Sequence, residues 1–177
     1  AVLPSLLECL MLSGKLNMTG LHSAAMTVLG QVHLRMGDGN RAVSVIRAAL
    51  PDLLKQGHVW MKAEAYLTLA RCHLQRPTTA TAVTEDPARK LKSLRAAARD
   101  LERCAELSGA CHDVERLKET YYLQARIYNA LPDSKAQRDE AAENFLRVSK
   151  NAASSIAAEP KVLSSLSNCG DLLKLAA

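Results

Sequence analysis

The chain has 177 residues and a formal net charge of +5 from 23 basic and 18 acidic side chains, long enough to bury roughly 70 % of its unfolded surface without a disulfide or a metal. Hydrophobic residues make up 48 % of it and aromatics only 3 %, with 28 Ala and 28 Leu against 10 Val and 3 Ile. Leu and Ala lose little freedom in a helix, and the β-branched residues that suit a pleated surface are scarce, so composition predicts an all-α fold and disfavours sheets.

The apolar start, residues 1–12, has no basic flank, contains Pro4 and Glu8, and is too short to cross a bilayer. Neither a signal peptide nor a membrane partner is predicted, and a soluble intracellular protein is expected. The chain lacks an initiator Met and opens inside a helical pattern, which points to a piece of a longer polypeptide. The first clear helix spans residues 21–36, with Leu21, Ala25, Val28, Leu29 and Val32 on one face. Gly37 and Gly39 turn the chain, and Asn40 is expected to cap a second helix whose stripe is Ala42, Val43, Ile46, Ala49, Leu50, Leu53 and Leu54. Pro51 is expected to kink that helix or mark a local break, and Gly57 to close it. A third helix covers residues 59–75, with Ala63, Tyr66, Leu67, Ala70 and Leu74 inward. Residues 76–86 are rich in Thr, have no period and read as a loop. Asp86-Pro87 is a helix-start signal, since Asp caps and Pro fits the first position, and it opens a helix to about Ser108 with Gly109 as its stop. Asp113 starts the next, through Asn129; Pro132-Asp133-Ser134 turns the chain into one that runs to about Lys150. The tail, residues 151–177, reads as weakly helical.

Helices in pairs predict a repeat, because one pair cannot bury both its faces and stacked neighbours close the core. From Ser23 the chain follows the tetratricopeptide pattern of roughly 34 residues: Met26, Leu29-Gly30, His33, Gly37, Ala42, Ile46 and Ala49-Leu50. The frame recurs with Tyr66, Leu69-Ala70, His73, Ala97, Leu101 and Cys104. It recurs again with Tyr121, Ala125, Tyr128, Ala141, Phe145 and Val148. Val2-Leu3-Pro4-Ser5-Leu6-Leu7 echoes Ala49-Leu50-Pro51-Asp52-Leu53-Leu54, the second helix of a unit. The predicted architecture is therefore an α-α superhelix, a solenoid of tetratricopeptide-like antiparallel helix pairs. Its parts are half a repeat and a linker at 1–18, repeats at 19–57, 58–108 (with the inserted loop 76–86) and 109–150, and the tail.

Chemistry is sparse against this background. Cys9, Cys72, Cys104, Cys111 and Cys169 form no CxxC, and an odd count supports neither a zinc site nor a disulfide framework. His22, His33, His58, His73 and His112 make no metal-binding pair on one helix face, and His33 and His73 stand where the repeat carries Tyr. Cys111-His112 has the residue types of a nucleophile and a base, but neighbours on a turn point apart. No phosphate-cradling glycine loop is present. The sequence therefore assigns no catalytic, cofactor-binding or metal-binding residue, expects no small-molecule substrate, and predicts a non-enzyme. The densest positive stretch, Arg89, Lys90, Lys92, Arg95, Arg99 and Arg103, faces only Asp100 and Glu102 in sequence and has no aromatic interleaved, so it reads as a solvated or partner-facing helix and not a nucleic-acid surface. Repeat modules that clamp a peptide carboxylate use Lys, Asn and Arg on successive first helices. Here those positions carry Thr27, Gln31, Leu67 and Arg71. Trp60 and Tyr121-Tyr122 remain as packing or partner contacts.

Two runs resemble a particular family. Residues 49–58, ALPDLLKQGH, with 62–72, KAEAYLTLARC, and then 96–107, 113–116 and Tyr121-Tyr122-Leu123-Gln124-Ala125-Arg126-Ile127-Tyr128 are similar to the C-terminal repeats of subunit five of the anaphase-promoting complex. The similarity covers about Pro4 to Lys150; the Thr-rich loop and the tail depart from it. It implies a non-catalytic scaffold in a nuclear and cytoplasmic ubiquitin ligase of the cell cycle, seated beside the first and fourth subunits of that complex. The competing expectation is a tetratricopeptide adaptor that holds an extended peptide in another assembly.

Overall fold

The computed structural model describes residues 2–75 and 87–158, and among these residues every regular element is an α-helix. In chain order they are α1 (Val2–Lys15), α2 (Thr19–Arg35), α3 (Gly39–Gln56), α4 (Val59–Leu74), α5 (Pro87–Ala110), α6 (Val114–Ala130) and α7 (Lys135–Ala158). Each helix packs on the next, and α2 also packs on α4. The fold is thus an all-α array of stacked helix pairs, as the sequence pattern predicts. The Thr-rich loop, Asp86 and residues 159–177 lie outside the described residues.

The turns follow a common chemistry. Asn17, Gly37 and His112 each adopt a left-handed conformation, with φ of 54°, 82° and 55°. The next amide then reaches back to the preceding helix: Met18 N to Ser13 O at 2.9 Å, Asp38 N to His33 O at 2.9 Å and Asp113 N to Ser108 O at 3.0 Å. Such hooks satisfy carbonyls that a helix end leaves open. Four expectations from the sequence are corrected by the structure. Asp38, not Asn40, caps α3, accepting from Arg41 N at 3.0 Å. Gly109 does not stop α5, which continues to Ala110. The reversal falls at His112, whose residue type tolerates positive φ better than most. Pro51 does not break α3, because the helix runs on to Gln56 with Ala49 and Leu53 buried on either side. Helix α7 passes the expected end at Lys150 and reaches Ala158.

Helix α4 is the centre of the core. Ala63, Leu67 and Ala70 pack with Ala97, Leu101 and Cys104 of α5 and with Leu123 and Ile127 of α6. Its opposite flank, Ala65 and Leu69, meets Ile46 and Leu53 of α3, and Cys72 meets Leu34 and Ala42. Close approach explains the small residues. A methyl on Gly30 would overlap the Ile46 side chain, with Cδ1 only 2.7 Å away. The sequence stripe on α2 is corrected at its edges: Leu21 and Val28 are exposed, while Ser23 and Thr27 are buried. Their hydroxyls donate to their own helix, Ser23 to Thr19 O at 2.9 Å and Thr27 to Ser23 O at 3.0 Å, so a small polar side chain can enter a tight contact with its hydrogen bond made. Leu54 and Leu74, expected inward, are exposed as well.

Candidate functional site

A polar groove of about 520 Å³ lies between α4, the start of α6 and α7. Helix periodicity sets its walls. Glu64, Leu67 and Arg71 lie within two turns of one face of α4, and Arg116, Glu119 and Tyr122 occupy the matching face of α6. Asp113 positions α6 by capping it, accepting from Arg116 N at 3.0 Å, and its carboxylate also pairs with the Arg116 guanidinium.

The charges are spent on one another. Glu64 accepts from Arg116 Nε at 3.1 Å and Nη2 at 2.9 Å on one oxygen, and from Gln31 of α2 at 2.6 Å on the other. Arg71 donates through Nε to Glu119 at 2.9 Å and stands 4.0 Å from Glu64. A chain of hydrogen bonds therefore crosses three first helices, α2 to α4 to α6. Arg116 and Glu64 are largely buried, at 14 % and 19 % side-chain exposure. Arg71 and Glu119 are wetter, at 34 % and 39 %. Beyond them Tyr122 and Phe145 stack at 6.4 Å between ring centroids, and the Arg126 guanidinium sits 5.7 Å from the centre of the Tyr122 ring.

Two of the four positions examined in the sequence for a carboxylate clamp, Gln31 and Arg71, belong to this chain of bonds, whereas Thr27 is buried against its own helix. A clamp presents free cations to a ligand carboxylate; here Arg71 already holds one. Sequence reasoning missed Glu64, Arg116 and Glu119. The legible signal is the reversed order of charge on successive first helices, Glu64 then Arg71 on α4 against Arg116 then Glu119 on α6.

The remaining candidates are scattered. Cys111 lies on the turn and donates to Ser108 O at 3.6 Å, while His112 is exposed. Burial, followed by the Asp100 charge, pushes the Cys72 thiol up to about 11. Burial also raises Cys104, which contacts Thr120 Oγ1 at 3.3 Å. Both sulfurs are thereby held as unreactive thiols. Ser93, His73 and Asp100 share the residue types of a hydrolytic triad, but Ser93 donates to the His73 carbonyl at 3.2 Å and His73 Nε2 lies 3.7 Å from Asp100. The imidazole is 7 % exposed and does not line the groove, so the group reads as core packing. His22 contacts Ser13 Oγ at 3.2 Å, and His58 precedes α4 without a side-chain cap bond. Among the described residues no three His, Cys, Asp or Glu side chains gather as a metal site, and no helix is long and apolar enough to cross a membrane. Trp60 is half exposed and Tyr121 half buried.

These features define a class: an all-α helical-repeat array whose helices α2, α4 and α6 are bridged by hydrogen bonds and ion pairs. Comparison with known proteins narrows it. The chain is similar to anaphase-promoting complex subunit 5 of Mus musculus, 30 % identical over 129 residues, or 73 % of this chain. The human protein of the same name is 29 % identical over the same length, and that of Arabidopsis thaliana 31 % over 105 residues, or 59 % of the chain. The resemblance read from residues 49–72 and 96–131 is borne out. The chain spans 17 % of the length of the mouse protein and 10 % of the plant one. No protein-family model matches it.

Proposed function

We propose that the chain is part of a non-catalytic scaffold subunit of an anaphase-promoting complex, stacking its repeats against neighbouring subunits to support cell-cycle-regulated ubiquitination in nucleus and cytoplasm. The observation that carries this reading is the ion-paired groove. Its cations Arg71, Arg116 and Lys118 are committed to Glu119, Glu64 and Glu115, which leaves none of them free to capture a peptide end and favours stacking as the use of this face. Similarity to the named subunits supplies the assembly. The repeat units at 19–57, 58–108 and 109–150 are its stacking elements in this reading, and the complex's first and fourth subunits are its expected neighbours. A peptide-holding adaptor in another assembly would need those cations free.

Affinity purification of the full-length protein followed by mass spectrometry tests the proposal. Co-purification of the complex's other subunits is expected. Recovery of the protein with none of them overturns the scaffold reading.

A further inference from the structure

At the other end of α6 from the ion-paired groove lies a second one, of about 720 Å³, between α5 and the turn that leads into α7. Its chemistry is different. Lys92, Arg95 and Arg99 line one wall and are exposed, and Leu91, Leu131 and Pro132 supply apolar surface beside them. The three cations follow an i, i+3, i+7 pattern on α5 and so cover about 10 Å of its length on one side. None of the three is in an ion pair among the described residues; of the six cations on α5 only Arg103, held by Glu106 at 2.9 Å, is. A run of unpaired like charges on one helix face repels itself and is stabilised by an opposite charge brought from outside.

We propose that this groove receives an acidic segment of a partner polypeptide, with carboxylates on Lys92, Arg95 and Arg99 and an apolar side chain against Leu91, Leu131 and Pro132. Two observations favour a polypeptide over a nucleic acid. The wall opposite the cations carries Leu131 and Pro132, which suit a Leu or Ile side chain, and one ring, Tyr128, against the several that stacking of successive bases uses. That ring is half buried and donates its hydroxyl to Glu102 at 2.9 Å. That carboxylate lines the same groove and would repel a phosphate backbone lying along it, whereas a peptide can set its acidic residues away from it. The inference deepens the scaffold reading and rests on it for the existence of a partner.

The test uses the full chain and a fluorescein-labelled helical peptide carrying Glu in an i, i+3, i+7 pattern with Leu on the adjoining stripe, read by fluorescence anisotropy. Saturable binding is expected, weakening about tenfold as salt is raised from roughly 0.05 to 0.3 M. It should be lost in the K92E/R95E/R99E variant and retained in R147E, which reverses an exposed charge on α7. Should the triple reversal unfold by circular dichroism, K92Q/R95Q/R99Q serves in its place with the same expectation. L91A/L131A should weaken binding several-fold if the apolar wall takes part. The proposal is overturned by no binding, by equal binding of a scrambled peptide of the same composition, by binding that survives the charge variants, or by tighter binding of a single-stranded oligonucleotide of equal charge. Because the peptide reads the surface without the assembly, its failure leaves the scaffold reading standing, and failure of the purification experiment leaves this surface standing.

Discussion

The middle pair of the array, α4 and α5, and the last, α6 and α7, are built on one residue frame and end in different states. In the middle pair the frame residues Ala70, Ala97, Leu101 and Cys104 are all fully buried. In the last pair only Ala141 is; Ala125, Phe145 and Val148 are half buried. The sequence places Ala125 at a close-packing position on the same grounds as Ala70, and the structure corrects that. A frame residue marks where a neighbour can approach. Whether it is buried depends on a neighbour being there, and α4 packs on α2, α3 and α5 while the outer side of the α6–α7 pair has no further helix among the described residues.

That contrast can be broken most directly by truncating equivalent side chains. Leu101→Ala should cost about 2–5 kcal/mol, whereas the larger Phe145→Ala should cost less, about 1–2 kcal/mol, because Phe145 is only partly buried. Urea unfolding of both variants checks this, and equal costs would show that the last pair is as well packed as the middle one. Overpacking gives a smaller version of the same test. Ala70→Leu should destabilise by about 1–3 kcal/mol, and Ala125→Leu should stay within about 0.5 kcal/mol. A melting temperature lowered equally by both would place a covering helix over Ala125.

The ion pairs between the two regions come next. Arg116→Met removes both donors to one Glu64 oxygen and leaves that carboxylate largely buried, for an expected loss of about 1–2 kcal/mol. Arg71→Met, at a wetter pair, should lose less than about 1 kcal/mol. Similar losses in the two variants would remove the distinction in burial on which this ordering rests.

Acidity probes the middle pair alone. Burial pushes the Asp100 carboxyl up to about 6 from its ordinary 3.8, against the pull of Arg47 and Arg99. Between these values the folded chain holds a proton that the unfolded chain has released, so stability falls as pH rises from about 4 to about 6. Asp100→Asn should therefore gain on the parent protein across that window and keep its gain at pH 7. Denaturation midpoints measured at several pH values check it; a constant difference between the two proteins would show that Asp100 does not titrate there. The last effect is local. His112→Gly relieves a left-handed φ of 55° and should stabilise by about 0.5–1 kcal/mol, read as a modest rise in melting temperature.

Much of the fold is legible in the sequence because helix ends and helix faces are local properties. Asp113 caps α6 as the residues predict, and Gly30, Ala42 and Ala97 stand at the tight contacts the repeat assigns them. Leu21, Val28, Leu54 and Leu74 were illegible for a physical reason. A single 3.6-residue stripe describes a helix with one buried face, but a helix inside an array is covered on several flanks, some by contacts too close for Leu and open to Ser or Thr. The inner groove was legible only in part, since Gln31 and Arg71 stand at recognised positions while their partners come from other helices.

By itself, the sequence determined that the chain is helical and that its helices pair in a repeating frame, because both follow from residue spacing along a single chain, and its residues carried the likeness to anaphase-promoting complex subunit 5. Only the tertiary structure decided what the charged residues do. Opposite charges 48 and 52 residues apart, Arg71 with Glu119 and Glu64 with Arg116, meet because stacking brings first helices side by side, and the same stacking leaves Lys92, Arg95 and Arg99 facing outward. Distance along the chain carries no information about either outcome. The packing of one pair on the next supplies it.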